Sequence, residues 1–236
     1  MPDPAAIVDV VEHETSAAGA VLARAFFDDP LTTHLFPNER QRARDAPKMF
    51  DVLARYDILF GRVDRLGDFD AVATWLMPGE IAETPEKLAQ AGFDQLASTV
   101  GIAPLERLED FYSVVEDAHM RATPGPHWYL RLLGVDPGVQ GRGVGSLLLA
   151  YGLARADESG HPCFLETFAE RNVPFYLRHG FQLVLDEVEP NSGIRYWGFH
   201  RPALGGQRES RWCPSRVSSV SPQGQSSGEG DPIGNT

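Results

Sequence analysis

Apolar positions along the chain fall into blocks whose period changes from strand to helix and back. Ala6 to Val11 is short and rich in β-branched residues and predicts a first strand. Val21, Leu22, Ala25 and Phe26 then recur at helical spacing, with Thr15 or Ser16 as the expected cap. Asp28-Asp29-Pro30 ends that helix, because the residue before proline is driven out of the helical region. The charged stretch Asn38 to Arg44 predicts another helix. Asp45-Ala46-Pro47 reads as a fresh start with proline in the first turn, and Met49, Leu53, Tyr56 and Phe60 form one apolar face after it. Val63 to Leu66 and Ala71 to Leu76 predict a hairpin turning at Gly67-Asp68 and stopped by Pro78-Gly79.

Residues 84–122 read as two helices. One starts at Thr84-Pro85-Glu86 and runs through Leu88, Phe93 and Leu96. Pro104 restarts the pattern, with Leu105, Leu108, Phe111, Tyr112 and Val115 in one stripe. Pro124-Gly125-Pro126 breaks it. Trp128 to Val135 carries bulky residues on both faces, as a central strand buried on both sides does. A small-residue helix follows to about Ser159, stopped by Gly160. Cys163 to Phe168 predicts a strand, Arg171 to His179 a short helix ended by Gly180, Phe181 to Leu185 a strand, and Ile194 to His200 a last strand after the turn Asn191-Ser192-Gly193. From Pro202 onward Gly, Ser and Pro dominate, so 202–236 reads as a disordered tail behind a single domain, 1–201.

The junction after the central strand carries the chemistry. Val135 is followed by Asp136-Pro137-Gly138, then by Gln140-Gly141-Arg142-Gly143-Val144-Gly145-Ser146, and then by the helix. The first N–H groups of a helix lack partners within it and carry the positive end of its dipole. Glycines let an anion approach that backbone, so the loop is a candidate pyrophosphate cradle, the alternative being a glycine turn that binds nothing. A P-loop would need Gly-Lys-Ser/Thr, and no lysine stands there. A dinucleotide fingerprint counted from Gly141 meets Ser146 where its last glycine belongs. The pattern met at every position is Gln/Arg-x-x-Gly-x-Gly/Ala after a Val-x-Pro strand end.

In that loop, and in the Asn-x-x-x-Tyr helix and Gly-Phe strand that follow, the chain resembles the GCN5-related N-acetyltransferases (GNAT), closely over 128–200 and more loosely before. The resemblance implies an α/β (α+β) fold: a mixed, mostly antiparallel twisted sheet flanked by helices, with central strands that splay apart. Phe164-Leu165-Glu166-Thr167, Arg171 to Tyr176 and the helical insert 84–122 look like puromycin N-acetyltransferase and its actinobacterial relatives. The implied reaction transfers acetyl from acetyl-CoA, a co-substrate, to the amine of a small molecule, an antibiotic or xenobiotic among the candidates. A protein amino group as acceptor, and a non-catalytic acyl-CoA sensor, stay open beside it.

The resemblance also implies roles. Leu133 and Val135 would pair with pantetheine amides. Gln140, Gly141, Arg142, Gly143, Val144, Gly145 and Ser146 would hold the pyrophosphate. Asn172 would approach pantetheine, or cap its own helix. Tyr176 would protonate the departing thiolate, since a phenol of pKa about 10 can supply a thiol of pKa about 8.5. Glu166 would be the base or would hold the ammonium, or would face solvent. Phe26, Phe27, His34, Tyr129 and Arg131 are candidates for the acceptor side, each with packing as the alternative, and the insert is a candidate acceptor-site cover or a packing or dimer element.

The 236 residues suffice for one self-supporting core, and a formal charge of −12 argues against nucleic acid as the main partner. An acidic surface suits a cationic amine and also keeps a protein soluble. Cys163 and Cys213 make neither a zinc pattern nor a disulfide framework, and no metal is expected. With no basic-plus-apolar leader after Met1 and no membrane-length apolar run, the simple expectation is a cytoplasmic monomer or homodimer with no membrane contact.

Overall fold

The computed structural model describes residues 6–204. In chain order its elements are β1 (Ile7–Asp9), α1 (Thr15–Ala25), α2 (Pro30–Leu35), α3 (Glu39–Phe60), β2 (Arg62–Leu66), β3 (Ala71–Leu76), α4 (Pro85–Ala91), α5 (Phe93–Val100), α6 (Ile102–Ala122), β4 (Trp128–Val135), α7 (Val144–Ser159), β5 (Cys163–Thr167), α8 (Val173–Arg178), β6 (Gln182–Val188) and β7 (Arg195–Arg201). The strands form one sheet in the order β1-β2-β3-β4-β5-β7-β6. Every pairing is antiparallel except β4 with β5. The sheet is therefore mixed and mostly antiparallel, as expected, and it buries side chains on both faces. Leu22, Phe36, Phe50 and Val72 lie in the core beneath α1 and α3, while Trp75, Leu130, Leu148 and Leu165 lie in the core beneath α7.

The central strands part where the resemblance implied. β4 and β5 pair only at Trp128↔Cys163 and Tyr129↔Phe164, although β4 continues to Val135 and β5 to Thr167. Beyond the second rung the facing edges have no strand between them. On its other side β4 stays paired with β3, through an irregularity that sets Thr74 against Leu132 but Trp75 against Leu130. Arg131 is thus the extra residue of a β-bulge, which changes the phase of the strand. Leu130 and Leu133 consequently both reach the α7 side, three positions apart.

Several helix boundaries differ from the sequence reading. The expected restart at Asp45-Ala46-Pro47 does not occur: α3 runs through it with Pro47 inside. Asp45 is no cap. It is 1% exposed and joined to Arg44 at 2.7 Å and Lys48 at 2.9 Å, which hold its carboxyl down at about 2. Packing of Ala46, Met49, Phe50 and Ala54 in the core outweighs the hydrogen bond lost at the proline. The insert holds α4, α5 and α6 rather than two helices, because Gly92 at φ 97° ends α4 and begins α5, and Pro104 is accommodated in the first turn of α6. Thr15 and Ser16 do not cap α1. The Thr15 hydroxyl donates to the Glu12 carbonyl and the Ser16 hydroxyl to Asp51, and a short 3₁₀ turn, Glu12–Glu14, leads straight into the helix. α2 is an element the sequence reading left as loop; Asp29 caps it and Pro30 is its first residue.

Of the expected tail, 205–236 lie outside the described residues, as does Cys213. Leu204, by contrast, donates its N–H to Asp157 of α7 at 3.0 Å. No described helix is long and apolar enough to cross a membrane.

Candidate active site

The loop between β4 and α7 is shaped by its glycines. Gly141 and Gly143 have φ of 75° and 80°, the left-handed region that L side chains avoid. Gly143 is also the N-cap of α7, so no side chain closes the first turn. A Cβ on either glycine would meet nothing within 4 Å, so open space lies over the backbone there. Val144, Gly145 and Ser146 are the first residues of a 16-residue helix. Their N–H groups lie at its positive end, in the arrangement that receives phosphate oxygens. Gly145 lies close against Val135, where a Cβ would come within 3.1 Å of its side chain. The residues present fit a diphosphate.

The strand leading into the loop offers a second fit. The Asp136 N–H donates to the Asp70 carbonyl, toward β3. Backbone groups alternate in direction along a strand, so those of Leu133 and Val135 turn the other way, to the edge that β5 has left. The Val135 carbonyl on that edge accepts from the Gln140 side chain at 3.1 Å. Arg142 bends back on the loop, donating to the Gly138 carbonyl at 3.2 Å. Asp136 pairs with Arg24 of α1 at 2.6 Å and accepts from Gly138, which ties the loop to α1.

Across the opening lies Glu166 of β5, half-buried. Its Oε1 accepts from the Tyr129 hydroxyl, and its Oε2 is buried with no partner among the described residues. Burial pushes the carboxyl up to about 7, opposed by the Tyr129 hydrogen bond and the Arg131 cation. Tyr176 on α8 is 7% exposed, packed against Phe181, Phe199 and Phe175. Burial raises its phenol, with Asp29 and Glu166 within electrostatic reach adding to the effect, so it keeps its proton at neutral pH. Asn172 does not cap α8 with its side chain. It donates to Thr167 Oγ1 at 2.9 Å, fastening the start of α8 to the end of β5.

The residues expected on the acceptor side divide. Tyr129 and Arg131 adjoin Glu166, but Arg131 is engaged with Asp57 at 2.9 Å and Glu83 at 2.6 Å and lies over the Tyr56 ring. Phe26 stacks on Phe50 of α3, and Phe27 lies under Arg42, so both pack against α3. His34 is half-buried on α2, within electrostatic reach of Glu189 in the β6–β7 turn. Two residues the sequence reading did not assign join the site. Asp29 is 5% exposed and accepts from Leu31 N–H, and burial pushes it up to about 6. Tyr112 of α6 lies within electrostatic reach of both Glu166 and Asp29. Neither carried a distinguishing signal: Asp29 read as a stop before proline and Tyr112 as one position in an apolar stripe. A cleft of about 620 Å³ opens beside the end of β5, walled by Pro30, Phe168, Ile194 and Trp197, with Asp28, Glu170, Arg171 and Arg195 as its charged lining residues.

Residues 80–181 match the acetyltransferase (GNAT) family. An uncharacterised N-acetyltransferase of Schizosaccharomyces pombe is 28% identical over 170 residues, which are 70% of this chain and 69% of that protein. In fold the chain is similar to a Corynebacterium glutamicum structure described as histone acetyltransferase HPA2 and related acetyltransferase, with TM-score 0.63 and 22% identity over 85% of this chain and 97% of that one. It is also similar to the Drosophila melanogaster polyamine N-acetyltransferase, an enzyme that forms N-acetylagmatine, with TM-score 0.54 and 21% identity over 83% of this chain and 99% of that one.

Proposed function

We propose that this chain, a GNAT-family N-acetyltransferase, transfers acetyl from acetyl-CoA to the amine of a small molecule by direct attack. The observation that carries the reading is Glu166 Oε2, a buried carboxylate oxygen without a partner among the described residues, on the strand beside the splay. Acetyl-CoA, when bound, supplies an activated thioester. The chain's part is to hold it, to receive a proton from the amine and to return one to the sulfur. The backbone of Gly141 to Ser146 would hold the diphosphate, and the free edge at Leu133 and Val135 would hold the pantetheine amides. Glu166 would take the amine proton at Oε2, its raised pKa placing it close to the working pH of a general base. Tyr176 Oη would donate to the sulfur.

The small-molecule reading rests on the cleft walled by Phe168, Ile194 and Trp197, whose polar lining holds Asp28 and Glu170 together with Arg171 and Arg195. Apolar walls with charges of both signs suit a small polar molecule with an apolar body, whose amine Asp28 or Glu170 would meet. The look of Phe164 to Thr167 and Arg171 to Tyr176 directs the search toward aminonucleosides and other xenobiotic amines.

The test is thiol release from acetyl-CoA with aminonucleosides, arylalkylamines, polyamines and peptides as acceptors. Turnover with a small amine is expected, with Tyr176→Phe lowering kcat by about 10²–10⁴-fold at little change in KM. Binding of acetyl-CoA without turnover across the panel, or turnover of peptides alone, would overturn the reading.

A further inference from the structure

Among the described residues Glu166 receives a single side-chain hydrogen bond, on one oxygen. The Tyr129 hydroxyl donates to Oε1, and Oε2 has no partner among them. A carboxylate held this way has one oxygen committed and the other left for a proton. The residue that holds it is itself held. Tyr129 is 8% exposed and belongs to the last rung, Tyr129↔Phe164, before β4 and β5 part. The His119 ring from α6 lies 4.7 Å from the Tyr129 ring and stacks on Phe164 at 4.0 Å and 14°.

His119 is locked in turn. Its Nε2 is 2.8 Å from His127 Nε2, and His127 Nδ1 is 2.8 Å from the Gly125 carbonyl. A carbonyl only accepts, so His127 carries its proton on Nδ1, its Nε2 accepts, and His119 Nε2–H donates. Burial pushes His119 down to about 3 and lowers His127 as well, so the pair stays neutral at working pH.

We infer that Tyr129 is the positioning residue for Glu166: it fixes Oε1, presents Oε2 to the amine, and is kept in place by the His119–His127 clamp at the end of the insert. The inference rests on the reading of Glu166 as the base. It gives the insert a part in catalysis, since the last turns of α6 supply one wall of the clamp. It also explains why Tyr129 is a tyrosine. A phenylalanine would fill the same space and leave both carboxylate oxygens free to rotate. The charged and titratable groups about Glu166 are Tyr129 and Arg131 of β4, Tyr112 of α6, Tyr176 of α8 and Tyr196 of β7. Of these, the Tyr129 hydroxyl and the Arg131 cation favour the ionised carboxylate.

The experiment compares Tyr129→Phe, Glu166→Gln and the double variant in steady-state kinetics from pH 5.5 to 9. Tyr129→Phe is expected to lower kcat about 10- to 100-fold at unchanged KM for acetyl-CoA, and to move the acid-side midpoint up by about one to two pH units, the effect of one hydrogen bond to a charged group. The double variant should be no slower than Glu166→Gln, because Tyr129 acts through that carboxylate. An unmoved midpoint in Tyr129→Phe, with Glu166→Gln inactive, overturns the positioning role and leaves the base in place. Glu166→Gln as active as the parent overturns the base reading and this inference with it. Should Tyr129→Phe fail to fold, 3-fluorotyrosine at position 129 provides a second reading. Its stronger phenol donor should move the midpoint down, and an unmoved midpoint again counts against the role.

Discussion

Replacing Glu166 by glutamine removes one proton site while nearly keeping the side chain's shape, so its effects on rate and stability can be read apart. Burial raises this carboxyl from 4.5 to about 7. Between those pH values the folded chain binds more protons at this site than the unfolded chain does. Stability from this group is therefore fully present below about pH 4.5 and is lost as pH rises through about 7. At 1.36 kcal/mol per pH unit the difference is on the order of 3 kcal/mol, and the side chain's partial contact with solvent reduces it to about 1–3 kcal/mol. Glu166→Gln should thus be more stable than the parent at pH 8 by about that much, a rise of several degrees in Tm for a domain of this size. The gain should vanish near pH 4.5. In the same variant kcat at pH 8 should fall about 10²–10⁴-fold. The parent's rate should drop about tenfold per pH unit below pH 7, as the carboxylate takes up its proton. The acceptor amine also titrates, but the glutamine variant keeps that dependence alone, so the ratio of the two profiles isolates the carboxyl. Chemical denaturation at pH 5 and 8, with thiol release from pH 5.5 to 8.5, gives both quantities. A variant less stable than the parent at pH 8, or a rate ratio that does not change with pH, would refute the reasoning.

Two further substitutions test the loop and its helix. Gly143→Asp places a charge over the cradle. At about 5 Å and an effective dielectric of about 20, the repulsion from one phosphate charge is about 3 kcal/mol, so acetyl-CoA affinity by calorimetry should fall about 100-fold. Gly143→Ala has the same backbone strain without the charge and should lose far less; equal losses would sink the electrostatic account. Gly152→Ala on α7 would bring a Cβ within 2.5 Å of the Trp75 ring, which is 1% exposed. Despite alanine's better helix propensity it should destabilise the fold by about 1–3 kcal/mol, and a rise in Tm would contradict the packing described.

The sequence alone determined the order of the seven strands and of the helices between them outside α2, α3 and the insert, because period and punctuation are local properties. The apolar run Ala71 to Leu76 stopped by Pro78-Gly79, the apolar run from Trp128 to Val135, and Gly160 and Gly180 as helix stops all act within a few residues of where they stand. The glycine loop was legible for the same reason: Gly141 and Gly143 are needed by the backbone of that segment itself. The tertiary structure decided what depends on distant partners. Pro47 stays inside a helix because α3 is packed along its length, and no window around Asp45 contains that fact. Phe26 and Phe27 pack against α3 for a similar reason, whereas Tyr129 adjoins the base. As aromatic residues near a predicted strand or helix end, they could not be told apart by type. The bulge at Arg131, the parting of β4 from β5 after two rungs, and the approach of Tyr112 from an inserted helix all follow from how the strands and the insert dock. Glu166 illustrates the division. The sequence supplied a carboxylate on a strand, and only the enclosing fold, by removing its water and leaving Oε2 unpartnered, makes its proton available near neutral pH.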